Sequence, residues 1–330
     1  MSDKKDEAAK ADEEYERLKK SRFKQQKLPA WRPVPTIRST TITFVSFGII
    51  FVVLGIVILV LSNKIKEFKK KYHEECKNKY DINEYYNVEN LDYNCEIDFK
   101  IGETMKLPVM VYYQINKFYQ NHRRYVKSKN DDQLNGKEIS DKDDCKHALT
   151  NGEMEINKNF KGEPLESGKI AVPCGLIAKS FFRDTFGLYD ENDNRIEINE
   201  KDIAWDADIN IKFDNSKNMN EQWIDMTNEH FIVWMRPSGL PNFRKLWGRI
   251  EKKGSFTELK TGNYKLKIKN FFDVSKFDGE KIFVVSTVNA LGGKNRFLGI
   301  SYIIVGCISL ILAVVFLIGY KVHQNKEKNN

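Results

Sequence analysis

The sequence is poor in the side chains that build chemical sites, with five Cys and five His in 330 residues. The cysteines form no Cys-x-x-Cys pair, and His73 has no second histidine four residues on, which excludes the common zinc patterns. Residues 292–295 (GGKN) lack the GxxxxGK[ST] spacing of a phosphate loop, and no GxSxG elbow occurs. We therefore expect a protein that is not an enzyme, with no catalytic residues, no metal and no cofactor.

Charge is missing from two long stretches of an otherwise charged chain. Residues 42–61 and 297–320 contain no Asp, Glu, Lys or Arg. At about 1.5 Å of rise per residue, each run can cross a hydrocarbon core of about 30 Å. The first run follows about forty mostly polar residues, and no small-residue cleavage site comes after it, which favours a retained anchor over a signal peptide. The sequence predicts an integral membrane protein with two spans.

Both ends of the chain carry excess positive charge. Residues 1–41 have 11 Lys and Arg against 7 Asp and Glu, and residues 321–330 have 3 against 1. The positive-inside rule therefore favours cytosolic termini, although a lysine-rich stretch at 64–71 points the other way. Long loops cross a membrane largely regardless of charge. We expect a cytosolic tail at residues 1–41, a span at 42–62, an exoplasmic or lumenal ectodomain at 63–296, a second span at 297–320 and a cytosolic tail at 321–330.

Four of the five cysteines, Cys76, Cys95, Cys145 and Cys174, lie between the spans. An even number in a candidate lumenal domain predicts two disulfides and an oxidising compartment. Three pairings are possible. We favour the sequential one, Cys76 with Cys95 and Cys145 with Cys174, because each bond then closes a short local loop.

Hydrophobic patterning between the spans favours strands over helices. Apolar and polar side chains alternate over residues 203–213 (IAWDADINIKF), and the apolar residues at 264, 266 and 268 follow the same period. The apolar runs at 231–235 and 282–288 predict strands that are covered on both faces. We expect a large α+β ectodomain, mainly antiparallel sheet with short helices.

Small residues recur every seven positions in both apolar runs. Gly48 and Gly55 share one helix face, and Gly299 and Gly306 share another. Faces of this kind let helix backbones approach closely. We expect these faces to pack against each other or against the helices of a partner.

Two segments combine aromatic, basic and proline residues, at 23–36 (FKQQKLPAWRPVPT) and at 234–250 (WMRPSGLPNFRKLWGRI). Trp and Arg are enriched in interface hot spots, and a tryptophan beside a span suits the membrane surface. The structural alternatives are a basic flank of the span and an ordinary core corner. The candidate partner-binding residues are Phe23, Gln25, Gln26, Leu28, Pro29, Trp31, Pro33, Trp234, Arg236, Phe243, Arg244, Trp247 and Arg249. The basic cluster at 122–127 is expected to be a solvated patch, and we expect no nucleic-acid partner.

Five blocks of the sequence resemble those of a known family. They are residues 23–31 (FKQQKLPAW) with Pro33 and Pro35, 118–125 (FYQNHRRY), 173–178 (PCGLIA), 234–236 (WMR) through 240–250 (LPNFRKLWGRI), and 291–295 (LGGKN) with 297–300 (FLGI). In this order they resemble the cell-division-control-protein-50 family, also called the ligand-effect-modulator-3 family. The resemblance covers the chain from about residue 23 to residue 320.

The resemblance implies a non-catalytic accessory, or beta, subunit of a type IV P-type ATPase, a pump that flips phospholipids to the cytosolic leaflet. Such a subunit forms a heterodimer with the pump among membrane lipids and is needed for its folding, its export from the endoplasmic reticulum and its activity. The implied location is the endoplasmic reticulum, the Golgi or endosomes, or the plasma membrane. Residues 23–36 would touch the pump near the cytosolic surface, and the ectodomain would cap its exoplasmic loops.

The sequence departs from this family in two places. Many members have more cysteines near the first disulfide, whereas only Cys76 and Cys95 occur here, so one bond is expected. Members often carry N-glycans, and a common sequon falls where this chain has Arg183-Asp184-Thr185. Because no Asn-x-Ser/Thr occurs anywhere in the sequence, we expect an unglycosylated chain.

The residues alone leave two other functions open. A freestanding receptor or adhesion ectodomain on a hairpin anchor would need an exposed ligand pocket and would be stable alone. A membrane-bound enzyme would need catalytic residues that only the fold brings together, and its isolated ectodomain would be active.

Overall fold

The computed structural model of the protein describes residues 15–27, 35–139 and 141–329. The chain divides into two compact units. One unit contains the chain up to Val57 and from Phe297 onward, and the other contains Ile58–Arg296.

Two long helices dominate the first unit. The first helix spans Ile37–Asn63 and the second spans Arg296–Asn329. Both are long and apolar enough to cross a membrane, and most of their side chains are not covered by other parts of the chain. Each helix runs beyond its predicted span, because polar residues outside the charge-free core continue the same backbone hydrogen-bonding pattern. The chain is an integral membrane protein with two spans.

The second unit is built on antiparallel sheets. The strands are β1 (Glu67–Lys71), β2 (Cys95–Ile101), β3 (Met105–Lys106), β4 (Val109–Asn116), β5 (Thr185–Tyr189), β6 (Arg195–Ile196), β7 (Phe243–Ile250), β8 (Glu258–Leu259), β9 (Gly262–Lys269) and β10 (Glu280–Ser286). The first sheet has the order β1-β10-β4-β7, the second has the order β2-β9-β5-β6, and β3 pairs with β8.

The core lies where the two larger sheets meet. Phe283 of the first sheet contacts Phe99 and Phe186 of the second, with ring centroids 5.4 Å and 5.0 Å apart, and Trp247 lies 5.1 Å from Phe186. Side chains alternate between buried and half-buried along β4, whereas almost all of β10 is buried. The strands predicted at 264–268 and 282–288 are confirmed as β9 and β10. The predicted antiparallel ectodomain is confirmed.

Short helices connect the strands. The α-helical turns are Arg123–Lys127, Asp131–Leu134, Asn151–Met154, Leu176–Lys179, Asp206–Ile211 and Glu229–Trp234, and the 3-10 turns are Ile82–Asn90, Lys142–Cys145, Met219–Glu221 and Ser275–Phe277.

The strand predicted at 203–213 is wrong, because this segment contains the helix Asp206–Ile211. The alternating residues do not share a buried face, since the side chains of Trp205 and Ile211 are both 68% exposed. Asp208, a polar position in the pattern, is buried and binds Arg236. The burial of Asp208 and the exposure of Trp205 and Ile211 are the reverse of what the alternation predicts.

The strand predicted at 231–235 is also wrong. The segment belongs to the helix Glu229–Trp234, which Asn228 caps by accepting hydrogen bonds from the backbone N–H groups of His230 and Phe231. A short apolar run in a buried place has the same composition as a strand or a helix. Here the cap formed by Asn228 favours the helix over the strand.

Two disulfides fasten the ectodomain. Cys76 is bonded to Cys95, with Cα atoms 5.4 Å apart, and Cys145 is bonded to Cys174, with Cα atoms 5.7 Å apart. This is the sequential pairing. Cys307, in the second long helix, is free.

Candidate interaction surfaces

The glycine faces of the two long helices pack against each other. A Cβ atom added to Gly55 would lie 2.9 Å from the carbonyl oxygen of Gly299, and one added to Gly306 would lie 2.9 Å from that of Gly48. All four glycines are buried. Only residues without a Cβ permit this backbone approach. The sequence left two packing partners open for these faces, namely each other or the helices of another protein. In the structure the two faces pack against each other.

We expect Gly306→Leu to separate the helix pair. The new side chain would meet the Cγ2 atom of Val52 at 2.7 Å and the backbone nitrogen of Val52 at 2.9 Å, and backbone cannot move aside as a flexible side chain can. Cysteine cross-linking between the two helices should fall at least about fivefold, the result of a clash costing about 1–3 kcal/mol. Gly319→Leu is the matched control, since a Cβ there has no neighbour within 4 Å. Equal cross-linking of both variants would refute this packing.

Three aromatic candidates in the 234–250 segment are core residues. Trp234, Phe243 and Trp247 are 0%, 7% and 3% exposed, and the indole N–H of Trp234 donates to the carbonyl oxygen of Ile177 at 2.9 Å. Residues at 243, 245 and 247 share one face of β7, and that face lies inward. The core of the folded ectodomain covers these three aromatic side chains, and their contact with a partner stays a prediction.

The arginines of the same segment reach the surface. Arg244 donates from two nitrogens to Glu67, at 2.5 Å and 3.4 Å, and from Nε to Gln114 at 2.8 Å. Burial alone would raise the pKa of Glu67, but hydrogen bonds from Arg244 and Lys69 outweigh it and lower that pKa. Arg249 donates from Nη2 to the carbonyl oxygen of Lys201 at 3.0 Å.

Sequence reasoning missed one exposed tryptophan. Trp205 immediately precedes the helix Asp206–Ile211, and the guanidinium of Arg236 lies 5.0 Å from the centre of its ring. Trp205, Arg236 and Arg244 all line one shallow cavity of about 330 Å³, and we call these three residues the Trp205 patch. The alternation over 203–213 assigned Trp205 to a buried strand face, so the sequence alone gave no reason to expect it at the surface.

The candidates near the N-terminus divide into two groups. Phe23 is 75% exposed, the side-chain amide of Gln25 donates to the carbonyl oxygen of Leu18 at 3.2 Å, and Gln26 has a left-handed backbone with a φ of 52°. The other candidates lie outside the described residues, and they are Leu28, Pro29, Trp31 and Pro33. Phe23 is thus an apolar side chain available for contact.

Comparison with known proteins identifies a family and several relatives that resemble this chain. The family model described as LEM3 (ligand-effect modulator 3) family / CDC50 family matches residues 58–326. The chain is 37% identical to Cell cycle control protein 50A of Mus musculus over 92% of this chain and 89% of that protein. It is 38% identical to ALA-interacting subunit 3 of Arabidopsis thaliana over 94% and 88% of the two chains. It is 32% identical to Cell cycle control protein 50C of Macaca fascicularis over 93% and 94%.

The matched region contains the entire ectodomain fold, both disulfides and most of the second long helix. The chain therefore belongs to the LEM3/CDC50 family.

Proposed function

We propose that this chain is the non-catalytic accessory subunit of a type IV P-type ATPase that flips phospholipids. The observation that carries the proposal is the alignment, over nearly the full length of both chains, with a relative named as an interacting subunit. In this role the chain forms a heterodimer with the pump, supports its folding, accompanies its export from the endoplasmic reticulum and maintains its activity.

The membrane unit supports this role. The small residues of its two helices pack against each other, whereas large apolar side chains such as Ile49, Ile56 and Ile308 are about half exposed. An outward apolar face is suited to lipid tails and to the helices of a larger membrane protein. The pair is therefore a preassembled unit for docking beside the pump.

The proposed topology has both termini in the cytosol and the ectodomain on the exoplasmic or lumenal side. Excess positive charge at both ends and two disulfides in the ectodomain support this orientation. The segment at 23–36 then contacts the pump near the cytosolic surface, and the ectodomain covers its exoplasmic loops.

The Trp205 patch is the proposed contact of the ectodomain with those loops. Tryptophan and arginine are enriched in interface hot spots, and removing a hot-spot side chain costs about 2 kcal/mol or more, which is about thirtyfold in affinity. We therefore expect Trp205→Ala to lower recovery of the pump on the tagged chain by about that factor while the melting temperature of the chain stays unchanged.

Tyr119→Ala is the matched control for this experiment, because Tyr119 is 63% exposed and Trp205 is 68% exposed. The control should recover the pump as the unaltered chain does. If Trp205→Ala also recovers it fully, the patch is not the contact. If the unaltered chain recovers no P-type ATPase, the proposed function itself is wrong.

A further inference from the structure

The ectodomain contains a cavity of about 480 Å³ that neither the sheets nor the proposed contact with a pump explains. This volume is within the usual range for small-molecule sites. Six of the fifteen residues that line the cavity are aromatic, namely Phe118, Tyr125, Phe181, Phe271, Phe272 and Phe277. Such walls are suited to a flat apolar group.

A buried cation lines this cavity. Arg183 is 5% exposed, and its guanidinium lies 5.1 Å from the ring centre of Trp223 and 5.5 Å from that of Phe181. The hydrogen bond that its side chain forms with the described part of the chain is long, from Nη1 to the carbonyl oxygen of Phe181 at 3.4 Å. A guanidinium has five N–H donors. Among residues 15–27, 35–139 and 141–329, no carboxylate oxygen lies within 4.0 Å of Arg183.

Asp184, the next residue, carries a buried charge that is fully paired. Asp184 is 2% exposed, and its carboxylate accepts hydrogen bonds from Lys281 at 2.6 Å and from Tyr72 at 2.8 Å. It also accepts hydrogen bonds from the backbone N–H groups of Phe271 and Phe272. Buried charges are costly unless they are paired in this way. Arg183 has no such ion pair among the described residues, and its charge is stabilised instead by the ring faces of Trp223, Phe181 and Tyr85.

The charges around the cavity leave an excess of positive charge. Glu155 is neutralised by Lys179 at 2.9 Å, and Asp273 is neutralised by Lys79 at 2.5 Å. Lys276 also lines the cavity, and within the described part of the chain it forms no ion pair. Burial lowers the pKa of Arg183 to about 10, which still leaves the guanidinium charged at neutral pH.

We propose that this cavity binds a small amphipathic monoanion, in which a carboxylate is attached to an aromatic group. The carboxylate supplies two acceptor oxygens in the geometry that a guanidinium prefers, and the aromatic part packs against the phenylalanine walls. This site is independent of the assignment to a pump, because it depends only on the ectodomain.

Calorimetric titration of the purified full-length chain tests the proposal. The heat of titrating each probe into empty micelles is subtracted. The probes are 4-phenylbutyrate, its neutral amide 4-phenylbutanamide, and butyrate, which keeps the charge but lacks the ring. We expect 4-phenylbutyrate to bind at least about tenfold more tightly than either of the others, as befits a charge-assisted hydrogen bond inside an apolar cavity. Equal affinity for the acid and the amide, or no binding of any probe, overturns the proposal.

Arg183→Met assigns the effect to this residue, since methionine keeps much of the side-chain volume and removes the charge. This variant should lose at least about tenfold in affinity for 4-phenylbutyrate and bind 4-phenylbutanamide as before. Arg123→Met is the control, because Arg123 is exposed and does not line the cavity. Unchanged binding of 4-phenylbutyrate to Arg183→Met overturns the proposal. Should Arg183→Met fail to fold, the acid-versus-amide comparison on the unaltered chain decides.

Discussion

Cys145→Ser should lower the free energy of unfolding of the ectodomain by about 3.5 kcal/mol, the chain-entropy value for a loop closed by a disulfide 29 residues apart. Both sulfurs are buried, so the variant also leaves a thiol and a hydroxyl group in the core. Because a domain is stable by only about 5–15 kcal/mol, this loss should retain the chain in the endoplasmic reticulum and prevent recovery of the pump. Thermal unfolding of the purified variant and its location in cells measure the two effects.

Cys307→Ser is the matched control for that variant, since Cys307 is the one cysteine outside the disulfides. It should unfold, traffic and recover the pump as the unaltered chain does. Normal stability and trafficking of Cys145→Ser would show that the bond between Cys145 and Cys174 does not hold the ectodomain together.

Lys281→Met should destabilise the ectodomain by about 3–5 kcal/mol, the usual cost of removing one partner from a buried ion pair. Lys281 is 2% exposed and donates from Nζ to Asp184, Asn270 and the carbonyl oxygen of Phe272, at 2.6 Å, 2.5 Å and 2.7 Å. Burial lowers the pKa of Lys281, and the carboxylate of Asp184 opposes that shift. Without the ammonium group, the buried carboxylate of Asp184 keeps its hydrogen bonds from Tyr72 and from two backbone N–H groups but loses its cation partner. Denaturant unfolding measures the change.

Lys265→Met is the comparison, because the side chain of Lys265 is 46% exposed and its ion pair with Glu96 is 3.5 Å long. Surface pairs of this kind contribute only about 0–1 kcal/mol. Adding Asp184→Asn to Lys281→Met should recover part of the lost stability, since the uncompensated charge is then gone. A loss below about 1 kcal/mol for Lys281→Met would mean that this pair does not stabilise the sheets.

The parts of the fold that the sequence predicts well are those with a long or strict pattern. Two runs without charge identify the spans, and the alternation at 264–268 identifies β9, because one face of that strand is buried and the other is not. The strand predictions at 203–213 and 231–235 were wrong, although the first rests on eleven alternating residues. Distant side chains or a helix cap decide the conformation of these segments.

The exposure of the candidate side chains was predicted less well than the fold. Composition identified the 234–250 segment as unusual, but aromatic residues build cores as often as interfaces. Only the three-dimensional structure shows that Trp234 is enclosed and that Trp205 is exposed. Arg183 shows the same limit, since no pattern in the sequence reveals that this arginine is buried without a carboxylate partner in the described part of the chain.

Co-purification tests the central claim most directly. The tagged chain, extracted in mild detergent and analysed by mass spectrometry, should carry a type IV P-type ATPase in a ratio of about one to one, the stoichiometry of a heterodimer. Reconstituted into vesicles, the complex should flip labelled phospholipid on addition of ATP, and the chain alone should not. A chain that purifies without any ATPase, or that flips lipid by itself, would contradict the account.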